Sequence, residues 1–126
     1  MKSHYRVVVI GGGVVGASII YHLSKMGWPD IALIERSVLT AGSSWHAAGG
    51  VHALNADPNI SALQAYTIDL LGKIEEESGQ SVGMHMTGGL TLAGTPDRWE
   101  WLQSAYRVYQ SIGIEDVRLV LSLIHI

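Results

Sequence analysis

A chain of 126 residues is long enough for one domain with its own core, and short for a complete two-domain cofactor enzyme. Apolar residues make up 48% of it and the formal net charge is -3, a balance that argues against disorder and against a nucleic-acid partner. No cysteine is present, which excludes disulfides, thiolate zinc sites and cysteine nucleophiles.

The longest apolar runs are broken by glycine, serine or a charge well before membrane-spanning length, so no membrane span is expected. Only Met1 to Tyr5 precede the first predicted strand, which leaves no room for a signal or transit peptide and makes a cytoplasmic protein the expectation. Tyr5 to Ile10 is β-branched and lacks alternation, the pattern of a central parallel strand buried on both faces. It opens into Gly11, Gly13 and Gly16, a Gly-x-Gly-x-x-Gly arrangement leading into a helix over Val14 to Met26. That spacing suits a strand turning sharply into a helix whose free N–H groups face a pyrophosphate. Gly11 permits the tight turn, Gly13 lets a ligand approach the main chain, and Gly16 lets helix and strand pack closely. Ser18, His22 and Lys25 form the helix's polar stripe, and Gly27 suits its C-terminal end.

Ile31 to Ile34 reads as a second strand ending in Glu35, so the βαβ unit closes at its usual length of roughly 30 residues. Glu35 comes 19 positions after Gly16. A carboxylate there can accept hydrogen bonds from ribose hydroxyls and repel a 2′-phosphate, although Arg36 beside it weakens the second inference. A solvated glutamate at a strand end is the alternative; strand, glycines, helix and acid in register favour the dinucleotide. Thr40 to Gly50 is too rich in small residues for a regular element and reads as a loop leading into a short helix. Ser43 and Ser44 can offer hydroxyls and N–H groups to a phosphate, and Ala47, Ala48 and Gly49 allow a flat ligand to lie close. Trp45 and the nucleophilic His46 stand among them. A flexible loop holding a hydrogen-bonded histidine accounts equally well for the pattern.

Asp57 and Pro58 start a helix that ends at Gly79, with Ile60, Leu63, Thr67, Leu70, Leu71 and Ile74 directed to a core. Ser81 to Met86 and Gly89 to Ala93 are predicted strands. Thr95 and Pro96 start a last helix ending at Gly113, with Trp99, Leu102, Tyr106 and Tyr109 on its core side. A further strand start is expected at Asp116 to Val120. Leu121 to Ile126 has no cap, turn or charge and resembles a translated sequencing adapter, so the native sequence is expected to end near Val120.

With these motifs in place, the chain resembles the FAD-dependent amine oxidoreductases of the D-amino-acid-oxidase superfamily. The resemblance is carried by Gly11-Gly-Gly-Val-Val-Gly16, Tyr21-His-Leu23, Gly27-Trp28 and Leu33-Ile-Glu-Arg36. Leu39-Thr-Ala-Gly-Ser-Ser-Trp-His-Ala-Ala-Gly49 narrows it to the dimethylglycine and sarcosine dehydrogenase group, supported by Glu75-Glu-Glu-Ser-Gly-Gln80 and Gly88-Gly-Leu-Thr-Leu-Ala93. The likeness runs from Arg6 to Val120. It implies an α/β fold: a Rossmann-like FAD-binding βαβ unit with a parallel sheet, followed by the start of an α+β cap region. Residues 1–120 would be the truncated N-terminal part of an FAD-binding oxidoreductase domain, and residues 121–126 a non-native tail.

The resemblance also implies contacts to FAD from the phosphate turn around Val14 and Val15, the adenosine end at Glu35 and Arg36, and the loop Gly42 to Gly50. Gly50 stands where the group commonly has leucine. His46 corresponds to the histidine through which the group attaches FAD covalently. The implied reaction is oxidation of a small N-methylated amine, with tetrahydrofolate capturing the one-carbon unit only in a further C-terminal domain. The group's substrate-contacting residues lie mostly downstream, so no catalytic base and no electron acceptor are assigned here. Two other readings stay open: an NAD-binding module of a dehydrogenase, and a fragment that binds nothing stably.

Overall fold

The computed structural model describes residues 2–121. They form β1 (Val7–Ile10), α1 (Val14–Lys25), β2 (Ile31–Ile34), α2 (Ser43–His46), α3 (Pro58–Ser78) and α4 (Pro96–Ser111). The chain divides into two compact units, one ending at Gly50 and the other beginning at Val51. The expectation of a non-native tail falls mainly on residues 122–126, outside the described residues.

The first unit is an α/β assembly in which β1 and β2 run parallel, with Val7 opposite Ile31 and Ile10 opposite Ile34. Parallel strands need a crossover, and α1 supplies it. α1 ends in a Schellman motif: Gly27 at φ 75° donates to Ser24 O at 2.9 Å, and Trp28 donates to Leu23 O at 3.0 Å. Val9 is buried beneath α1, its Cγ1 3.5 Å from where a β-carbon on Gly16 would stand. Side chains alternate along a strand, so Val8 and Ile10 point to the opposite face. There Val8, Ile10 and Ile34 are exposed. The expectation of two buried faces is therefore corrected: α1 covers one side of a two-stranded sheet, and no described element of this unit covers the other.

In the second unit both predicted helices are present with their predicted caps. Asp57 Oδ1 accepts from Asn59 N–H at 2.8 Å and Ile60 N–H at 3.0 Å, Pro58 takes the first helical position, and Gly79 ends α3 at φ 66°. Thr95 Oγ1 accepts from Arg98 N–H at 3.2 Å ahead of α4. Trp99, Leu102 and Tyr106 are half-buried and Ala105 and Tyr109 buried, as the helical spacing required. Of the stripe on α3, Thr67, Leu70, Leu71 and Ile74 are half-buried, whereas Ile60 and Leu63 in the first turns are exposed. There Ser61 is fully buried instead and donates its hydroxyl to Ala53 O.

The segments 81–86, 89–93 and 116–120 are not strands in the described structure. A strand exists by its ladder, and these segments have no ladder partner among the described residues. Gly83 and Gly88, at φ 68° and 70°, also break the pleat, and Val82, Met86, Leu90 and Leu92 stay exposed.

Candidate functional site

The site grows from the N-terminus of α1. Gly13 caps the helix without a side chain, and the first turn contains no acid. The opening N–H groups of a helix have no partner within it and need acceptors from elsewhere. Val14 N–H donates to Ser44 Oγ at 2.8 Å. The N–H groups of Val15 and Gly16 have no acceptor among the described residues. Gly16 is buried, and a β-carbon there would lie 1.9 Å from Gly11 O, so glycine is required where helix meets strand. Gly11 adopts φ 106° and donates to Ile34 O at 2.8 Å, which extends the sheet ladder into the turn.

These groups line a cleft of about 340 Å³ whose walls are Ile10, Gly11, Gly13, Val14, Val15, Gly16, Ile19, Ser43 and Ser44. Its floor of unsatisfied helix N–H groups and a serine hydroxyl matches an anion such as a pyrophosphate. Ile10 and Ile19, both exposed, form its apolar rim. Neither was picked out from the sequence, although both continue apolar patterns into the turn. A second groove of about 620 Å³, along Ala17, Ile20, Tyr21, Leu33, Leu39 and Thr40, is largely apolar and lacks such a donor array.

Glu35, at the end of β2, bonds directly to the turn. Its Oε2 accepts from Gly12 N–H at 2.7 Å and its Oε1 from Ser37 N–H at 2.9 Å. These hydrogen bonds, that from Gly12 foremost, hold its carboxyl below the usual glutamate range. Each oxygen keeps a further lone pair with which to accept from a ribose hydroxyl. Because the folded-state pKa is depressed, the stabilisation is fully present above the ordinary glutamate value and is lost as pH falls through the depressed one. Urea unfolding between pH 7 and pH 3 should therefore show a steeper loss of stability on acidification for the native chain than for Glu35→Gln. Equal slopes would remove Glu35 as an ionic clamp on the turn.

His46 closes α2. Its Nδ1 lies 2.9 Å from Gly42 O. A carbonyl only accepts, so Nδ1 carries the proton and the lone pair resides on Nε2. The side chain is exposed, as is Trp45. The structure thus gathers Gly11, Gly13, Val14, Val15 and Gly16 with Ser43 and Ser44 in one cleft, and ties Glu35 to it through Gly12. Arg36, Gly42, His46, Ala47, Ala48, Gly49 and Gly50 are exposed and do not line that cleft. Gly12 and Thr40, absent from the sequence-based site, join the turn to the loop: Thr40 N–H donates to Gly12 O at 2.9 Å. Among the described residues there is no metal-binding group of histidines and acids, and no helix long and apolar enough to cross a membrane.

A parallel βαβ unit whose glycine turn presents helix N–H groups to a cleft, and whose second strand ends in a carboxylate bonded to that turn, defines a dinucleotide-binding fold. The chain belongs to the FAD dependent oxidoreductase (DAO) family, which matches residues 6–123. It is 46% identical over 97 residues to mitochondrial dimethylglycine dehydrogenase of Rattus norvegicus, covering 77% of this chain and 11% of that protein. With mitochondrial sarcosine dehydrogenase of Homo sapiens it shares 34% identity over 116 residues, 91% of this chain and 13% of the relative. The chain therefore spans only about an eighth of these curated relatives. Its fold matches the crystal structure of L-proline dehydrogenase from P. horikoshii with a TM-score of 0.81 and 26% identity, over 90% of this chain and 29% of that one. FAD is the cofactor the family implies, and the residues present fit it: helix N–H groups without an acceptor among the described residues, a Gly13 whose β-carbon would stand 3.1 Å from Ser44 Oγ, and a carboxylate at the end of β2 bonded to the turn.

Proposed function

We propose that this chain is the FAD-binding segment of an amine oxidoreductase acting on N-methylated amino acids of the dimethylglycine and sarcosine type, with the reacting half of the enzyme supplied by further chain. The observation that carries the cofactor reading is the Val14–Ser44 bond, which brings the loop containing His46 onto the phosphate turn. The substrate class is supported by the likeness to dimethylglycine and sarcosine dehydrogenases.

In this reading Val15 and Gly16 hold the pyrophosphate by their N–H groups, and Ser44, whose Oγ accepts from Val14 N–H, turns its own hydroxyl proton to it. Glu35 receives the ribose, with Arg36 alongside. FAD, when bound, would supply the hydride acceptor for oxidation of the substrate's N-methyl carbon. Gly42 to Gly50 would form the flavin-side loop, and His46 would hold the flavin end with Nε2, the nitrogen left free by the bond to Gly42, as the atom available for a covalent link. Tetrahydrofolate, where it takes part, would be held by a further C-terminal domain.

Isothermal titration of the purified chain tests the reading. FAD is expected to bind at least about tenfold more tightly than NAD, a difference of roughly 1.4 kcal/mol. NAD binding in the absence of any flavin binding would overturn it in favour of a nicotinamide module.

A further inference from the structure

Thr40 holds a backbone conformation that its residue type disfavours. Its φ is 68°, in the left-handed region, where a β-branched side chain is an outlier. Such a conformation persists only where neighbouring contacts over-determine it, and it concentrates at ligand clamps and functional loops. Around Thr40 those contacts are visible. Its N–H donates to Gly12 O at 2.9 Å, and its own carbonyl accepts from Trp45 N–H at 3.1 Å. Gly12 is gripped on its other side as well, because its N–H donates to Glu35 Oε2 at 2.7 Å. Leu39 closes over the same residue, its Cδ2 2.6 Å from where a β-carbon on Gly12 would stand. Beyond Thr40 the loop reaches Ser44, bonded to Val14, and then His46, bonded to Gly42.

We propose that Thr40 is a positioning residue whose left-handed main chain latches the loop Thr40 to His46 onto Gly12, and so sets Ser44 against the phosphate turn and fixes where His46 stands relative to a bound flavin. The inference rests on the FAD reading for its ligand, but the latch itself is a property of this chain. The role belongs to the main chain, which makes the hydroxyl dispensable. Valine keeps the N–H and the β-branch. Glycine adopts a positive φ without steric cost. Proline has no N–H and holds φ near −65°, so it cannot form the latch.

The test compares the native 126-residue chain with Thr40→Val, Thr40→Gly and Thr40→Pro, using FAD and ADP as separate probes and amide hydrogen exchange in the ligand-free protein. Thr40→Val should bind FAD within about threefold of the native chain, and Thr40→Gly as tightly or up to about tenfold more tightly, because the competent loop is more populated. Thr40→Pro should weaken FAD at least about tenfold and ADP by a clearly smaller factor, because ADP reaches the Ser44 end of the loop and not the His46 end. The Thr40 amide should exchange slowly in the native chain and in Thr40→Gly. Native FAD affinity in Thr40→Pro would overturn the proposal, as would equal losses of FAD and ADP, or a Thr40→Val variant as impaired as proline. A native chain that bound no FAD would overturn the cofactor reading instead. Exchange at the Thr40 amide would then decide the latch, and an unprotected amide would refute it.

Discussion

Replacing Gly16 by alanine is expected to abolish FAD binding and to destabilise the N-terminal unit by about 3 kcal/mol, the upper end of the usual cost of overpacking. The new β-carbon would fall 1.9 Å from the carbonyl oxygen of Gly11 and 3.1 Å from its carbonyl carbon. Both are main-chain atoms of the turn, so no rotamer change relieves the clash. Either α1 lifts from β1, or the Gly11 peptide rotates and forfeits its place in the turn. Each outcome displaces the N–H groups of Val14, Val15 and Gly16 from the cleft. Gly72 in α3 offers the contrast, since a β-carbon there meets nothing within 4 Å. Gly72→Ala should therefore stabilise by roughly 0.5–1 kcal/mol, the usual gain on removing glycine from a helix interior. Chemical unfolding and flavin titration of the two variants check both signs. A Gly16→Ala chain that bound FAD normally would show that the close approach of α1 to the turn is unnecessary.

His46→Ala is expected to remove all flavin that resists acid precipitation, while reversible FAD affinity changes only several-fold. The separation follows from geometry. In the proposed reading the reversible contacts would reside in the cleft at Gly11 to Gly16 and Ser44, whereas His46 is exposed at the end of α2 and does not line that cleft. Its Nδ1–H is committed to Gly42 O at 2.9 Å, so Nε2 alone is free to carry a covalent link. Incubating the native chain and the variant with FAD, precipitating with acid and measuring flavin absorbance in the pellet distinguishes them. Flavin retained in the His46→Ala pellet would remove His46 as the anchor.

Much of the glycine turn and its cleft is legible in the amino-acid sequence, because their requirements are local. A β-branched run, glycines at fixed offsets and a helical pattern leave a strand–turn–helix few other conformations, and β1, α1 and β2 lie where those patterns place them. The caps at Asp57 and Thr95 are legible for the same reason, since a cap is set by residues within one turn. Ser44 is identifiable as a hydroxyl of the right kind, but its partner, Val14, is 30 residues away. Thr40 belongs to the loop motif, but nothing in threonine signals its left-handed conformation.

The predicted strands at 81–86, 89–93 and 116–120 fail where sequence reasoning is weakest. Composition can make a segment suitable for a strand, yet only a neighbouring strand makes it one, and pairing is non-local. The exposed Val8, Ile10 and Ile34 follow the same rule: their apolar character announces burial, and only the arrangement of the chain decides whether a covering element is at hand.

By itself, then, the sequence determined the βαβ unit, the glycine turn, the acid that follows it and the family through the Trp45-His46 loop, all features written in short spacings. The tertiary structure decided which of those groups meet. It joined Ser44 to Val14, Glu35 to Gly12 and the left-handed Thr40 to Gly12 O, because hydrogen bonds between distant segments depend on how the chain returns to itself.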